Sequence, residues 1–223
     1  LNLDDVSSNT KDFEKVVVVT KDAESADSWL QSLKFFRNSE DPKSGDFDYK
    51  AFPDWETLPY DFFSPHQNIT SSRIDCLYDL SIERKRLVVT IPVTTLLQKI
   101  APPAFVSGST FRYETGQKLT IDNERLKLDS SGYVASNLVT QRGQYAIRGS
   151  VIDIFPMGSN LPVRVDLFDD EIDSLRLFDP DTQMTVKEVK EFRLLPGKEF
   201  PFDDDAIKRF KRKWHETFFV DAR

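Results

Sequence analysis

Apolar residues fall along this chain in two different rhythms. Val16-Val17-Val18-Val19 and Leu87-Val88-Val89-Thr90-Ile91 are continuous runs bounded by charge, the pattern of strands buried on both faces of a sheet. Between them, Ala26, Trp29, Leu30, Leu33 and Phe36 recur at helical spacing from about Asp22 to Phe36. A second helix is predicted from Ser71 to Leu80, while the polar stretch from Arg37 to Lys50 reads as a loop. Strands alternating with helices predict a parallel sheet of the kind used by nucleotide-binding motor domains. Ala101-Pro102-Pro103 is a natural breakpoint, because consecutive prolines end both helix and ladder.

From Ser109 the rhythm shortens to period two, with turns at Ser131-Gly132 and Asp179-Pro180 and one helix around Asp122 to Ser130. This predicts an α+β domain of ordinary size. Within it, a strand over Val163 to Phe168 turns Val163, Val165 and Leu167 to the core and Arg164, Asp166 and Phe168 to the other face. An aromatic ring beside an arginine on the outer face has the composition of an interaction hot spot. The alternative is that Phe168 packs on a neighbouring helix. After Leu195-Pro196-Gly197 the character changes again, to an amphipathic helix over Asp203 to Phe219. Ile207, Phe210, Trp214 and Phe218 form its stripe, and Asp203 to Asp205 suit its N-terminus.

At 223 residues, with 39% hydrophobic and 30% charged residues, the chain can bury one large or two modest cores. No apolar run approaches the roughly 18 residues of a membrane helix, which argues for a cytoplasmic protein without membrane contact. The single Cys76 rules out an internal disulfide, fits a reducing compartment, and sits among Ile74, Leu77 and Tyr78 as core filler. With only two histidines, a metal site is poorly supplied. A net charge of −7 argues against a dedicated nucleic-acid binder, although Arg84-Lys85-Arg86 and Lys208 to Lys213 are locally basic. Leu1 in place of methionine, and a charged stretch at Arg223, read as the ends of a fragment.

The motor-like opening calls for a phosphate loop, which needs clustered glycines and a lysine. The eight glycines are scattered, and the nearest approach, Gly143 to Gly149-Ser150, lacks both the spacing and the lysine. Asp169-Asp170-Glu171 with Asp173 reads as a turn between strands rather than a metal site or an acid–base pair. His66 and His215 have no nucleophile motif around them. The aromatic cluster Tyr60-Asp61-Phe62-Phe63 is expected to pack in the core.

Two stretches carry a family resemblance. Arg148-Gly149-Ser150-Val151-Ile152-Asp153-Ile154-Phe155-Pro156, followed by Phe168-Asp169-Asp170-Glu171-Ile172-Asp173-Ser174-Leu175-Arg176 and Phe178-Asp179, resembles a signature shared by the excision-repair protein UvrB and the Mfd family of transcription-repair coupling factors. Asp54-Trp55-Glu56-Thr57-Leu58-Pro59-Tyr60-Asp61, Ser64-Pro65-His66 and Ser71-Ser72-Arg73 resemble the coupling factors in particular. Several motifs in order make the resemblance specific. It implies a degenerate, RecA/helicase-like parallel-sheet domain without a phosphate loop over residues 1–108. It further implies a small UvrB domain 2-like α+β domain over 109–195 that binds UvrA, and the start of the next UvrB-like lobe over 196–223.

The same resemblance implies the UvrA-contacting residues Arg148, Arg164 and Phe168. These are taken as exposed, so that truncating them leaves the fold almost intact. UvrB carries a phosphate loop in its first domain and a DNA-clamping hairpin after the aromatic cluster. Here five residues, His66 to Thr70, separate that cluster from Ser71, too few for two strands and a turn. The implied function is recruitment of UvrA to stalled RNA polymerase, without enzymatic activity or cofactor in this fragment. ATP and magnesium, the translocase activity, and contacts to RNA polymerase and duplex DNA would belong to downstream domains, and a C-terminal domain of the whole protein would mask the UvrA site. The alternative is a UvrB-type module that binds DNA and ATP.

Overall fold

The structure, a computed structural model, describes residues 15–37, 47–57, 62–83, 85–201 and 204–218. Leu58 to Asp61 of the upstream motif, Arg84 of the basic cluster, and the predicted helix ends Asp203 and Phe219 lie outside the described residues. The chain forms two compact units. One holds the residues up to Phe111 with Met157–Asn160; the other holds Arg112–Pro156 and the chain from Leu161 onward.

In the first unit, β1 (Lys15–Thr20), β3 (Leu87–Pro92) and β2 (Asp48–Ala51) form a parallel sheet in the order β1-β3-β2. Helix α1 (Ala23–Arg37) lies against all three strands, and α2 (Gln67–Ser81) packs on β2, β3 and α4 (Pro103–Gly108). The short α3 (Val93–Leu96) follows β3. β3 is buried along its whole length, as its unbroken apolar run predicts. β1 departs from that pattern: Val17 and Val19 are about half exposed, because β1 is an edge strand covered on one face. Residues 38–46 of the predicted loop lie outside the described residues, and its end belongs to β2, one exposed and three half-buried residues without an apolar run to betray a strand.

Cys76 is buried in the core with Phe52, Leu77, Leu87, Val89, Ile91, Ala101 and Val106. Burial pushes its thiol up to about 12, so it is inert filler. Phe62 and Phe63 are not core residues: both are almost fully exposed, on a loop that nothing among the described residues covers.

The upstream motifs meet around one buried side chain. The Arg73 guanidinium lies 4.3 Å from the Phe52 ring centroid and 4.7 Å from that of Trp55, and it donates to the Pro53 carbonyl at 2.7 Å. Asp54 Oδ2 accepts from Thr95 Oγ1 at 3.0 Å and Gln98 Nε2 at 3.2 Å, binding the β2–α2 loop to the segment after β3. His66 caps α2, accepting at Nδ1 from the Asn68 amide, and the helix therefore starts four residues before its predicted N-terminus.

In the second unit, six strands form one sheet in the order β10-β9-β8-β7-β6-β5. They are β5 (Val134–Ala135), β6 (Gln144–Arg148), β7 (Val151–Ile154), β8 (Val163–Phe168), β9 (Glu171–Phe178) and β10 (Thr185–Val189). Only the β5–β6 pair is parallel. Two-residue turns join β6 to β7 at Gly149-Ser150 and β8 to β9 at Asp169-Asp170. Gly149 has φ +59, the left-handed residue that a tight hairpin needs first.

The sheet is irregular at two places, between Asp166 and Leu167 opposite β9 and between Thr185 and Lys187 of β10. A second, two-stranded sheet pairs β4 (Phe111–Glu114) with β11 (Glu191–Leu194). There Tyr113 stacks on Phe192 and donates its hydroxyl to buried Glu124 of α5 (Ile121–Ser130). Helix α6 (Asp204–Phe218) buries no residue; its stripe holds together through Phe210–Trp214 and Trp214–Phe218 ring contacts at 5.7 and 4.4 Å.

Charge closes one corner of the first unit. Asp79, fully buried at the end of α2, accepts from Lys50 at 2.5 Å and Lys85 at 2.7 Å. Burial alone would raise its pKa, but the two lysines together outweigh that and hold it below the ordinary carboxylate value. A depressed folded-state pKa contributes stability above the ordinary value and loses it as pH falls through the folded one. Melting temperature should therefore fall as pH drops below about 4. Asp79→Asn should cost about 1–3 kcal/mol at neutral pH and shallow that acid limb. Thermal melts from pH 7 to pH 3 check this, and an acid limb of equal steepness in the variant would contradict it.

Candidate partner-docking site

β8 alternates as its sequence predicts: Val163, Val165 and Leu167 are buried, Arg164 and Asp166 half-buried, and Phe168 is 75% exposed. Of the two readings of Phe168, the structure supports the exposed one. The ring sits beside the β8–β9 turn, where Asp169 takes φ +54 and the carboxylates act as turn formers. Among the described residues, no group of three or more His, Cys, Asp or Glu could hold a metal ion.

Strand register brings the three sequence-identified residues onto one face. Ala146, Asp153, Arg164 and Arg176 occupy one cross-strand row, and Arg148, Val151, Asp166 and Ser174 the next. Arg148 thus lies two strands from Asp166, and Phe168 stands at the end of β8 beyond both rows. With strand spacing near 4.8 Å, all three side chains fall within one small patch.

Sequence reasoning did not single out what holds them. Asp153 is completely buried and lies directly opposite Arg164. Its Oδ1 accepts from Arg164 Nε at 2.7 Å, and its Oδ2 accepts from Arg164 Nη2 at 2.9 Å and from Arg148 Nη2. The Arg164 guanidinium also lies 4.8 Å from the Phe178 ring centroid, over a small apolar cluster of Val139, Ala146, Phe155 and Phe178. Hydrogen bonding to Asp153, its largest cause, raises the Arg164 pKa against the opposing effect of burial. Arg164 is consequently only 21% exposed along its side chain, against 49% for Arg148.

Arg176, directly opposite Arg164, is the second residue missed. Two guanidiniums facing each other across a strand pair repel. Asp166 relieves this, accepting from Arg176 Nε at 3.0 Å and from Ser174 Oγ at 3.2 Å. The face is thus a set of ion pairs, Arg148–Asp153–Arg164 and Asp166–Arg176, with Glu188 opposite Arg176 and Glu171 opposite Phe168 on its outer side. The signal for Asp153 was the period-two pattern of β7 itself, Val151 and Asp153 on one face and Ile152 and Ile154 on the other. Without the register, its partners were not readable.

Residues 111–200 match the UvrB interaction domain family. The ion pairs and Phe168 lie inside this stretch. Most of the chain is also similar to proteins named transcription-repair-coupling factor. That of Haemophilus influenzae is 45% identical over 202 residues, 91% of this chain and 17% of the relative. That of Escherichia coli K12 is 52% identical over 167 residues, 75% of the chain and 14% of the relative, and that of Myxococcus xanthus 31% over 194 residues, 87% and 16%. The chain spans about a sixth of the length of these curated relatives. The similarity therefore reaches beyond residues 111–200 into the parallel-sheet unit.

The arrangement corrects one sequence-based expectation. Arg164 is not a stability-neutral surface residue of this domain, because its removal leaves a buried carboxylate with Arg148 alone. Arg164→Ala should cost about 1–3 kcal/mol of folding stability. Phe168→Ala, at an exposed ring, should change it by no more than about 0.5 kcal/mol. Val165→Asp, on the buried face, should unfold the sheet. Thermal melting of the three variants separates these outcomes; equal melts for Arg164→Ala and Phe168→Ala would contradict the contrast.

Proposed function

We propose that this chain is the UvrA-recruiting part of a transcription-repair coupling factor, linking stalled RNA polymerase to nucleotide excision repair. The observation that carries the reading is the conjunction of Arg148, Arg164 and exposed Phe168 on one sheet face, within the stretch that matches the UvrB interaction domain family. Guanidiniums held in fixed planes make charge-assisted, bidentate bonds to carboxylates, and an exposed ring beside them supplies apolar area. Such a face fits a partner that offers acidic side chains around an apolar recess.

In this reading the first unit is a degenerate motor-type domain without nucleotide chemistry. The β1–α1 turn, where a parallel-sheet nucleotide site would place its phosphates, supports this. Asp22 accepts from the Ser25 amide at 2.8 Å and Glu24 sits in the first turn, so the helix N-terminus is already met by carboxylates. The segment where UvrB has its DNA clamp is here the N-cap and first turn of α2. Both points weigh against the UvrB-type alternative. ATP, magnesium, the translocase activity, and the contacts to RNA polymerase and duplex DNA belong, in this reading, to downstream domains of the whole protein.

Titration of the chain and its variants against purified UvrA tests the assignment. Arg148→Ala, Arg164→Ala and Phe168→Ala should each weaken binding at least tenfold, in keeping with about 2–4 kcal/mol for truncating a hot-spot arginine or aromatic. Wild-type affinity in all three would overturn it, and micromolar binding of ATP or preferential binding of damaged duplex would favour the alternative. The reading also includes a C-terminal domain of the whole protein that masks this face at rest. The isolated chain should then bind UvrA more tightly than the resting full-length protein, because an intramolecular competitor lowers apparent affinity by the fraction of molecules left open. Equal affinities for the two would remove the masking.

A further inference from the structure

We propose that Asp153 is the positioning residue of this docking face, an inference that rests on the UvrA-binding reading of Arg148, Arg164 and Phe168. Asp153 itself has no exposed surface, so a partner cannot touch it. Its two oxygens grip both arginines, from β6 on one side and β8 on the other. Arg164 spends two of its five N–H donors there and Arg148 one.

An arginine on an open strand face otherwise samples many rotamers and must lose that freedom when it binds. Here the freedom of Arg164 is already removed on folding. Its plane is set by the paired bonds to Asp153 and by the Phe178 ring beneath it. Arg148 is tied to the same carboxylate at a single donor, which fixes the spacing between the two cations. Two guanidiniums sharing one buried anion carry a net single positive charge with a fixed orientation. That matches a partner surface of defined carboxylate geometry better than a diffuse acidic one.

Charge alone predicts the opposite effect from positioning. Removing the acid between two arginines leaves that pair more positive and should tighten an acidic partner. Positioning predicts a loss. The test is Asp153→Asn in the 223-residue chain, which keeps the shape and removes the charge. Its affinity for purified UvrA should fall at least tenfold while a cooperative melt remains. Arg164→Ala should cost much less in the Asp153→Asn background than alone, because both changes remove the same placement.

Unchanged or tighter binding by Asp153→Asn overturns the proposal while leaving the docking reading intact, provided Arg164→Ala and Phe168→Ala weaken binding. If neither of those matters, the docking reading has failed and the proposal with it. Should Asp153→Asn fail to fold, side-chain NMR of the unmodified chain decides. The Arg164 Nε–H should be as ordered as the backbone in the absence of partner, and order typical of a free surface arginine would overturn the proposal.

Discussion

A carboxylate with no solvent exposure, shared by two arginines, is the constraint around which the second unit is arranged. Burying an unpaired charge is prohibitive, and burying a paired one is tolerated only with full hydrogen bonding. Asp153 satisfies that condition through three guanidinium donors drawn from two different strands. It can do so because β7 lies between β6 and β8, and because the Gly149-Ser150 turn sets Arg148 directly opposite Val151. A slip of one residue in either pairing would turn Asp153 into the apolar face and leave both arginines without their anion. The charge pair and the sheet register therefore enforce each other.

The two faces of the same sheet divide the work. Ile152, Ile154, Val163, Val165 and Leu175 are fully or almost fully buried and supply the apolar area that stabilises the unit. The other face has little apolar burial beyond Val139, Ala146, Phe155 and Phe178, and it uses ion pairs instead. The partly exposed Arg176–Asp166 pair contributes modestly to folding, whereas buried Asp153 must keep its guanidinium donors. What this face provides is a set of cations in defined places, with Phe168 projecting beyond them.

The first unit shows how motif residues that look functional can be structural. Asp54, Trp55 and Arg73 belong to stretches that carry the upstream resemblance, yet they spend their side chains on one another's surroundings. Asp54 ties down the segment after β3, and Arg73 lies buried against Phe52 and Trp55. Asp79, with Lys50 and Lys85, closes another corner by charge. Phe62 and Phe63, expected inside, stand outside.

Period and punctuation in the sequence determined which residues of β8 face inward, where α5 runs, and that Asp169-Asp170 is a turn, because these depend on local backbone geometry. The family resemblance added Arg148, Arg164 and Phe168, and their chain positions were legible from it. Their energetic roles were not. Arg164 and Phe168 share a strand face at positions four apart, yet one is held by a buried carboxylate and the other is open to solvent. Nothing local distinguishes them; the difference arises from what lies across the sheet. Asp153 stands between its own hydrophobic neighbours Ile152 and Ile154, and only the pairing of β6, β7 and β8 places two guanidiniums against it. The half-exposed β1 and the polar strand β2 have the same origin, because coverage of a strand is decided by elements far away in the chain. Alternation is a local property and survives in the sequence; partners across strands are non-local and exist only once the fold has closed.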